Sequence, residues 1–537
     1  MAYNFADLFE HAVDAMPDRV ALICSGREVT YRELDERSNQ LAHYFSGVGL
    51  GAGAHIGIHL HNSVETMEAL LASYKIRAVP VNINYRYTSD ELTYVYDNAD
   101  LDAVLHHRVY APRVAEVLPS LPRIKHALVV DDDLGGAGLP TESVPYEDAL
   151  AGQSSARDFG ARSDDDLFIM YTGGTTGRPK GVMWRQVDMW RVLGGGLDFY
   201  TGEAAADEYQ QSRVGAAGEA SRWFALPPLI HAAAMMPTFA ALFSGNTVLL
   251  DSKFDAHRTW KLVDQHKMQI LIITGDAMGR PLVEAHRQAK ADTSSLIVVA
   301  SGAALFSPVV KEAFLDAFPD LIVSDSIGSS ETGFGGIGFA AKGDQQLGGP
   351  RVQAGRFALV VDDDHVPLEP GSGVDGWFAK GGNVPIGYYN DPEKTKEIFG
   401  QVGGKTVVIT EDRARLEADG SITLLGRGNM VINTGGEKVF VEEVESVLKA
   451  HDGVYDAVVV GVPDERWGHC VAAVVQARDE QPVDFEGLEK HVRKSLAGYK
   501  IPRVVWVADA VQRTPSGKPD YRWAKEYVQS RVSDYTV

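Results

Sequence analysis

The sequence is poor in cysteine, with only Cys24 and Cys470 among 537 residues. Two cysteines so far apart cannot build a disulfide framework or a thiolate metal site, which favours a reducing compartment. Long apolar runs are also missing, since the longest, such as Ile270–Ile273 and Leu296–Ala300, fall far short of the roughly 18 residues of a membrane span. The N-terminus lacks the basic start and continuous apolar stretch of a signal peptide. We therefore expect a cytoplasmic protein without integral membrane association.

Basic residues are outnumbered by acidic ones, 51 against 73, and the formal net charge is −22. A negative molecule repels phosphate backbones, which argues against nucleic acid as the main partner. The sequence also has no HExxH pair, no paired-cysteine spacing and no nucleophile elbow, so zinc hydrolysis and serine-esterase chemistry lack their parts. The apolar fraction of 45% and charged fraction of 23% are those of an ordinary globular protein.

Short apolar runs alternate with helical periodicity over most of the chain, which favours βα units around largely parallel sheets. From about Gly355 to Leu425, short strands separated by turn residues indicate a β-rich subdomain. The last part, of about 110 residues, has an αβ rhythm of its own and is long enough to fold separately. We predict an α/β fold with a large N-terminal domain, residues 1–427, and a small mobile α+β C-terminal domain, residues 428–537.

Two smaller predictions concern the surface of the large domain. The segment Gly202–Gly218 is rich in Ala, Glu and Gly, which predicts a mobile surface loop. The pair His106-His107 is interpreted as surface rather than as a metal site, because the sixteen histidines are scattered along the chain.

The most informative segment is Tyr171–Gly181, which directly follows a predicted strand. Its glycines let the backbone approach a ligand, its threonine hydroxyls donate hydrogen bonds, and Lys180 adds positive charge, a combination suited to a polyphosphate. The segment is not a P-loop, because Gly181 stands where Ser or Thr would coordinate magnesium. A flexible surface turn would not need this density of glycine and threonine.

Tyr171–Gly181 closely resembles the ATP-gripping loop of the superfamily of acyl-CoA synthetases, nonribosomal-peptide adenylation domains and firefly-type luciferases. The resemblance covers nearly the whole chain, because the other motifs of the superfamily follow in the expected order. Two segments, Val182–Gln186 and Ile432–Val439, are most similar to bacterial fatty-acyl-CoA ligases, including those that act on steroid side chains.

The resemblance implies a nucleotide site assembled from several motifs. Ser301–Leu305 would lie against adenine, and Asp412 would accept hydrogen bonds from both ribose hydroxyls. Asp325–Thr332 resembles the Tyr-Gly-x-Thr-Glu motif, in which Glu331 would be the metal ligand for Mg²⁺ and Ser330 would bind a phosphate oxygen. The predicted ATP-binding residues are Thr172, Gly173, Gly174, Thr175, Thr176, Lys180, Gly302, Ala303, Ala304, Asp325, Ser329, Ser330, Asp412, Arg427 and Lys518.

The remaining motifs imply the acid pocket, the hinge and the CoA face. Leu226–His231 resembles the segment that walls the acyl pocket, for which we predict His231, Ala234 and Met235. Asn429 would mark the interdomain hinge, and Arg513–Lys518 resembles the loop of the catalytic lysine, so the predicted catalytic residues are Lys518, Glu331 and Ser330. The predicted CoA-binding residues are Gly435, Gly436, Glu437 and Lys438.

The sequence departs from the superfamily pattern at four positions. Ile327 replaces an aromatic residue, Glu411 replaces a glycine, Asn429 replaces Asp or Lys, and Val441 replaces a proline. These departures leave the adenine contact and the geometry near the ribose open.

The resemblance implies an ATP-dependent acid-CoA ligase that uses ATP, Mg²⁺ and CoA. A carboxylic acid (fatty, aryl or steroid side-chain acid) would become an acyl-adenylate, and CoA would then displace AMP. One alternative keeps the adenylate but uses another acceptor, such as a carrier protein, an amine, or nitrite activation for arylamine diazotisation. A second alternative is a catalytically silent nucleotide-binding or scaffold protein. A homodimer is compatible with either interpretation.

Overall fold

The structure is a computed structural model that describes residues 3–172, 178–197, 203–343, 350–427, 430–434, 437–464, 468–478, 482–514 and 517–536. For Arg427, Asn433, Glu437, Lys438 and Gly468 only the backbone is described. Among these residues, no helix is long and apolar enough to cross a membrane.

The helices and strands are numbered in chain order. The α-helices are α1 Phe5–Ala15, α2 Tyr31–Gly47, α3 Val64–Lys75, α4 Ser89–Asn98, α5 Ala111–Val117, α6 Tyr146–Leu150, α7 Gln186–Leu193, α8 Gln210–Ala217, α9 Ala232–Phe243, α10 Ala256–His266, α11 Gly275–Gln288, α12 Pro308–Ala317, α13 Pro392–Ile398, α14 Val441–Lys449, α15 Phe485–Ser495 and α16 Tyr521–Ser530.

The strands are β1 Val20–Cys24, β2 Arg27–Thr30, β3 His55–His59, β4 Val79–Asn82, β5 Ala103–His107, β6 His126–Val130, β7 Val144–Pro145, β8 Leu167–Thr172, β9 Lys180–Arg185, β10 Arg222–Ala225, β11 Thr247–Leu250, β12 Ile270–Ile273, β13 Val298–Ser301, β14 Ile322–Ser329, β15 Gly333–Phe339, β16 Arg351–Ala354, β17 Ala358–Val361, β18 Asp375–Gly381, β19 Gly387–Tyr388, β20 Phe399–Val402, β21 Lys405–Leu416, β22 Ser421–Arg427, β23 Val431–Thr434, β24 Glu437–Phe440, β25 Val454–Asp464, β26 Gly468–Ala477, β27 Val504–Ala508 and β28 Tyr535–Thr536.

The first sheet has the strand order β19-β9-β8-β4-β3-β5-β6-β7. Its strands β8, β4, β3, β5 and β6 run parallel, and α3 and α4 connect successive strands as the predicted βα pattern requires. Strands β8 and β9 form an antiparallel hairpin, in which Thr172 pairs with Lys180. The carboxyl ends of β4 and β8 therefore point to one edge, where a ligand of an open α/β sheet binds.

The second sheet is larger and changes character along its width. Strands β1, β11, β10, β12, β13 and β14 are parallel, whereas β14 to β18 and β20 to β22 pair antiparallel. The antiparallel part is the β-rich subdomain predicted over Gly355–Leu425. The first helix, α1, packs between the two sheets with Phe5 and Phe9 fully buried, because its apolar residues recur on one face.

A third sheet, β24-β23-β26-β27-β28 with β25 on β26, belongs to the C-terminal part of the chain. Helices α14 and α15 cover one face of this sheet with an apolar core that includes Val444, Val447 and Leu488. The opposite face carries α16, which packs through Ala524 and Val528 against Trp506. Each face is thus covered, as a small independent core requires.

Two predictions about the surface are wrong. Part of Gly202–Gly218 forms helix α8, which packs on α1 through Ser212 and neighbouring residues. His106 and His107 are buried at the end of β5, with exposed fractions of 0% and 3%. They are buried because β5 lies between β3 and β6, where the imidazoles find hydrogen-bond partners in Ser143 and in the His61 N–H.

Candidate active site

The phosphate side of the candidate site begins at the β8–β9 hairpin. Thr172 and Lys180 flank the predicted phosphate loop, and residues 173–177, with Gly173, Gly174, Thr175 and Thr176, lie outside the described residues. The Lys180 ammonium lies 5.7 Å from the ring centroid of Tyr388. The hairpin thus aims a cation at the edge where the strands end.

The turn after β14 places a carboxylate beside this cation. The Tyr388 hydroxyl donates to Glu331 Oε1 over 2.8 Å, so one tyrosine contacts both Lys180 and Glu331. Ser329 Oγ accepts the backbone N–H groups of Glu331 and Thr332, each over 3.2 Å. The carboxylate is therefore fixed from both its side chain and its backbone, as a metal ligand requires.

Ser330 is held in the same turn through its backbone. The Trp184 indole N–H, from β9, donates to the Ser330 carbonyl over 2.7 Å. Trp184 is fully buried, so this bond ties the turn after β14 to the phosphate hairpin. The predicted residues Thr172, Lys180, Ser329, Ser330 and Glu331 thus lie together.

The predicted adenine side follows β13. A Cβ on Gly302 would lie 2.9 Å from Ser326 Oγ, so a side chain at position 302 would meet Ser326 of β14. Ala303 has a left-handed φ of +66°, and the Ala304 N–H donates to the Gly302 carbonyl over 2.9 Å. The adenine contact of this segment stays a prediction.

Asp325 and Ile327 both point into protein rather than to solvent. Lys311 donates to Asp325 Oδ2 over 2.8 Å, while burial raises the pKa of Asp325. Ile327 is 5% exposed and packs with Phe378 and Val352 in the β-rich subdomain. Ile327, which replaces the usual aromatic residue, therefore belongs to a small apolar core.

The predicted ribose contact lies on β21, where Asp412 pairs with Arg427 of β22. The Asp412 N–H donates to Thr410 Oγ1 over 3.1 Å, which orders the backbone before the carboxylate. The adjacent Glu411 forms an ion pair with Lys394 at 3.3 Å. The charge that Glu411 adds is therefore paired with Lys394.

The predicted acid pocket is walled by the segment before α9. Burial lowers the pKa of His231 to about 4, and the charges of Lys518 and Arg86 add to the effect. His231 is therefore neutral at pH 7. Ala234 and Met235, in the first turn of α9, are buried with 0% and 3% exposure. A neutral imidazole at the start of a buried helix is suited to the wall of a pocket for a carboxylic acid.

The small domain contacts α11 of the large domain through Gly517, Tyr455 and Arg478. A Cβ on Gly517 would lie 3.0 Å from Ala277 Cβ, so the turn that carries Lys518 lies directly against this helix. The Arg280 guanidinium lies 5.4 Å from the ring centroid of Tyr455. The positive charge of Lys518 also contributes to the lowered pKa of His231.

Arg513 fixes the turn from within the small domain. It donates to both carboxylate oxygens of Asp456, over 2.8 and 2.6 Å, and to the Gly517 carbonyl over 2.8 Å. Such a bidentate pair is directional. Of the predicted CoA loop, Gly435 and Gly436 lie outside the described residues, and Glu437 and Lys438 begin β24. The predicted hinge at Asn429 also lies outside the described residues.

Sequence reasoning missed Tyr388, Trp184, Asn62 and Asn82. Tyr388 lies in the segment Gly387–Asn390, whose glycine and asparagine indicate a turn, and this turn pattern could have singled it out. Asn82 ends an apolar strand at the carboxyl edge of a parallel sheet, which is also where polar ligand contacts concentrate.

A family model described as AMP-binding enzyme matches residues 9–389, and a second, AMP-binding enzyme C-terminal domain, matches residues 443–518. The chain belongs to the AMP-binding enzyme family. This confirms the predicted adenylate-forming superfamily and α/β fold.

Relatives of this AMP-binding enzyme match it over almost their whole length. A 3-oxocholest-4-en-26-oate–CoA ligase of Rhodococcus rhodochrous is 50% identical, over 99% of this chain and 97% of the relative. A medium/long-chain-fatty-acid–CoA/3-oxocholest-4-en-26-oate–CoA ligase of Mycolicibacterium smegmatis is 48% identical, over 99% and 98%. An anthranilate CoA ligase solved in complex with anthranoyl-AMP shares the fold, with a TM-score of 0.85 at 21% identity over 99% of both chains.

Proposed function

We propose that this AMP-binding enzyme is an ATP-dependent acid–CoA ligase that releases AMP and pyrophosphate. The observation that carries the proposal is the contact of Tyr388 with both Lys180 and Glu331, which brings a cation and a carboxylate together at one edge of the sheet. This pair suits the phosphates of MgATP. The turn that carries Lys518 packs on α11. The full-length similarity to CoA ligases supports the choice of CoA as acceptor.

In the first half-reaction a substrate carboxylate oxygen attacks the α-phosphorus of ATP, and the bond to the pyrophosphate oxygen breaks. Lys180 would hold the departing phosphates, and Lys518 would lie beside the charge that builds at the α-phosphate. Asp412 would hold the ribose, so that catalysis comes mainly from positioning and electrostatics.

Glu331 fits a magnesium site because Tyr388 occupies only one of its two carboxylate oxygens. A hard oxygen ligand beside phosphates is what Mg²⁺ binds. When bound, the ion would neutralise charge on the phosphate oxygens. Tyr388 would keep the carboxylate aimed at that position.

In the second half-reaction the CoA thiol attacks the acyl carbon, AMP leaves, and the thiol proton passes to solvent. We assign Gly435–Lys438 to the CoA face, following the resemblance in sequence, and Asn429 to the hinge that would move Lys518 away. The domain boundary at residues 427 and 428 is part of this proposal.

We infer that the acid is a medium- or long-chain fatty acid or a steroid side-chain acid. The names of both full-length relatives support this class. The first residues of α9, Ala232–Met236, directly follow the wall segment and are all Ala or Met. Short or unbranched, adaptable side chains suit a wide apolar ligand. Residence in the cytoplasm, where ATP and CoA are supplied, completes the proposal.

The test is mass spectrometry of products after incubation with MgATP and a mixture of fatty, aryl and steroid side-chain acids, with and without CoA. We expect a fatty or steroid acyl-CoA that is absent without CoA. Acyl-adenylate and AMP without a CoA adduct would contradict the ligase proposal, and an aryl-CoA alone would contradict the acid class.

A further inference from the structure

The side chain of Asn82 joins two parts of the site that lie far apart in sequence. Its Oδ1 accepts the Tyr171 N–H over 2.6 Å, and its Nδ2 donates to the Tyr171 carbonyl over 3.1 Å. The same Nδ2 donates to the Ile230 carbonyl over 2.6 Å. One carboxamide thus contacts the strand that leads into the phosphate loop and the residue before His231.

Asn62 contacts the same wall segment, Leu226–His231, but within the described part of the chain it makes no hydrogen bond to the phosphate strand β8. Its Nδ2 donates to the Pro227 carbonyl over 3.1 Å, and its Oδ1 accepts the Leu229 N–H over 2.7 Å. Asn62 is 4% exposed, so neither bond competes with much water. Asn62 therefore makes two hydrogen bonds to the wall, whereas Asn82 makes one to the wall and two to Tyr171.

The wall segment needs these side chains because it has little regular structure. It lies between β10 and α9, and Pro227 and Pro228 have no N–H to donate. Leu226 still donates to Ile272 of β12, which fixes the beginning of the segment to the second sheet. Beyond that point, Asn62 and Asn82 fix it to the first sheet.

Asn82 also extends the pairing of β4 with β8. Val81 and Asn82 pair with Ile169 and Met170, and the carboxamide then takes both backbone groups of Tyr171. A side chain thus continues the ladder one residue further, up to the start of the phosphate loop. The end of β8 and the acid wall are therefore in contact with one rigid group.

We propose that Asn82 is a positioning residue that sets the acid wall and the phosphate strand relative to one another, whereas Asn62 positions the acid wall alone. This inference rests on the proposed function, because it takes the wall segment as part of the acid pocket. In adenylate formation, the reacting carboxylate and the α-phosphate must be aligned to within a fraction of an ångström. Asn82 links the protein segments that hold these two groups.

The test compares Asn62→Asp with Asn82→Asp. Each substitution keeps Oδ1 as an acceptor and replaces the amide donor by a second oxygen, which then faces a carbonyl. Asn84→Asp is the matched control, because Asn84 Oδ1 accepts the Arg86 N–H over 3.1 Å and an aspartate preserves that bond. Asn82→Ala, which removes the donor without adding charge, replaces Asn82→Asp if the latter shows no melting transition.

Acid-dependent ATP–pyrophosphate exchange gives KM and kcat, and calorimetry with magnesium and α,β-methylene-ATP gives nucleotide affinity without chemistry. For Asn62→Asp we expect KM for the acid to rise about tenfold, because the added oxygen faces the Pro227 carbonyl, with nucleotide affinity within about twofold of the wild type. For Asn82→Asp we expect weaker nucleotide binding as well, and kcat lower by about 10- to 100-fold through misalignment. Asn84→Asp should match the wild type.

The inference is overturned if Asn82→Asp and Asn62→Asp give the same pattern, or if neither departs from Asn84→Asp. It is separable from the proposed function. If the wild type exchanges pyrophosphate with no fatty or steroid acid, the proposed acid class fails, while the calorimetric difference between the two variants still decides whether Asn82 positions the phosphate strand.

Discussion

Buried ionisable groups in the two domains can respond to pH in opposite directions. In the large domain, burial lowers the pKa of several histidines, to about 4 for three of them. In the small domain, burial raises the pKa of Glu445 to about 7 although Lys449 opposes the shift. The histidines compared with Glu445 are His59, His61, His106, His107 and His231. At pH 7 these histidines are neutral, whereas Glu445 holds its proton up to about that pH.

These histidines and Glu445 should therefore make opposite contributions to the pH dependence of stability in the two domains. In the proposed function, the large domain would hold the phosphates, the ribose and the acid. The small domain contributes Lys518 through a turn set by Arg513 and a limited contact with α11. Experiments that separate the two contributions therefore test the comparison.

The largest effect should come from Lys518→Ala in the small domain. Loss of one charge contact in the transition state should slow adenylation by about 10²- to 10³-fold. Thioester formation from supplied acyl-adenylate should survive, because the large domain still holds the nucleotide. Pyrophosphate release and CoA-thioester formation, measured separately, check this, with the exposed Lys525→Ala as control. Equal losses in both half-reactions would contradict the division of labour.

Glu331→Gln tests the large domain in the same way. Loss of the carboxylate charge should reduce adenylation by about 10²-fold and raise the magnesium concentration that gives half-maximal rate. Tyr388→Phe removes the hydroxyl that donates to Glu331 Oε1, keeps the carboxylate, and should cost about tenfold or less. Magnesium titrations of the pyrophosphate-release rate distinguish the two. A Glu331→Gln enzyme with an unchanged magnesium dependence would exclude Glu331 as the metal ligand.

The pH dependence of stability follows from the pKa directions. Between about 4 and the ordinary value of 6.5, a buried histidine binds its proton only when unfolded, so the large domain loses stability as pH falls through this range. The slope is about 1.4 kcal/mol per pH unit for each such histidine. Between the ordinary 4.5 and about 7, Glu445 binds its proton only when folded, so the small domain loses stability as pH rises.

Hydrogen exchange with mass spectrometry resolves the two domains and can be corrected for the intrinsic pH dependence of exchange. We expect peptides of β3 and β5 to open more readily at pH 5 than at pH 7.5, and peptides of α14 to do the reverse. Glu445→Gln should remove the trend in α14 alone. Changes of the same sign in both domains would refute the comparison.

The smallest effect should come from the interdomain contact. Arg280→Gln or Tyr455→Leu removes the cation–π contact, worth about 0.5–2 kcal/mol, and should slow adenylation a few-fold to about tenfold. Thioester formation should not change. Arg287→Gln, an exposed arginine on the same helix, is the control. If Tyr455→Phe slows adenylation as much as Tyr455→Leu does, then the ring face is not the contact that matters.

The helices and strands that could be predicted are those with a local signal in the sequence. The strands and helices around β3, β5, β11 and β12 follow from apolar runs and 3.6-residue periodicity, and the order of the motifs places the candidate site. Contacts between distant segments carry no such signal. Asn82 and Ile230 are 148 positions apart, and Tyr388 and Glu331 are 57 apart, so neither bond could be predicted.

The wrong prediction for His106-His107 has the same origin. Polarity alone favours the surface, but the residues end a strand whose neighbours on both sides are paired. The environment of the pair includes the segment after β3, where His61 stacks on Tyr85 with the ring centroids 3.8 Å apart. An imidazole that packs on other rings and hydrogen-bonds to backbone groups can be buried in its neutral form.

The two cysteines have a practical consequence. Cys24 and Cys470 are 8% and 4% exposed, and burial raises the pKa of both thiols, to about 11 for Cys24. The thiolate is the reactive form, so neither should accept a maleimide or a nitroxide reagent in the folded protein. A cysteine introduced at the exposed Val532 and another at the exposed Val214 could therefore carry a pair of spectroscopic labels in the otherwise native chain. The separation of the two domains could then be followed through a catalytic cycle without first removing any natural thiol.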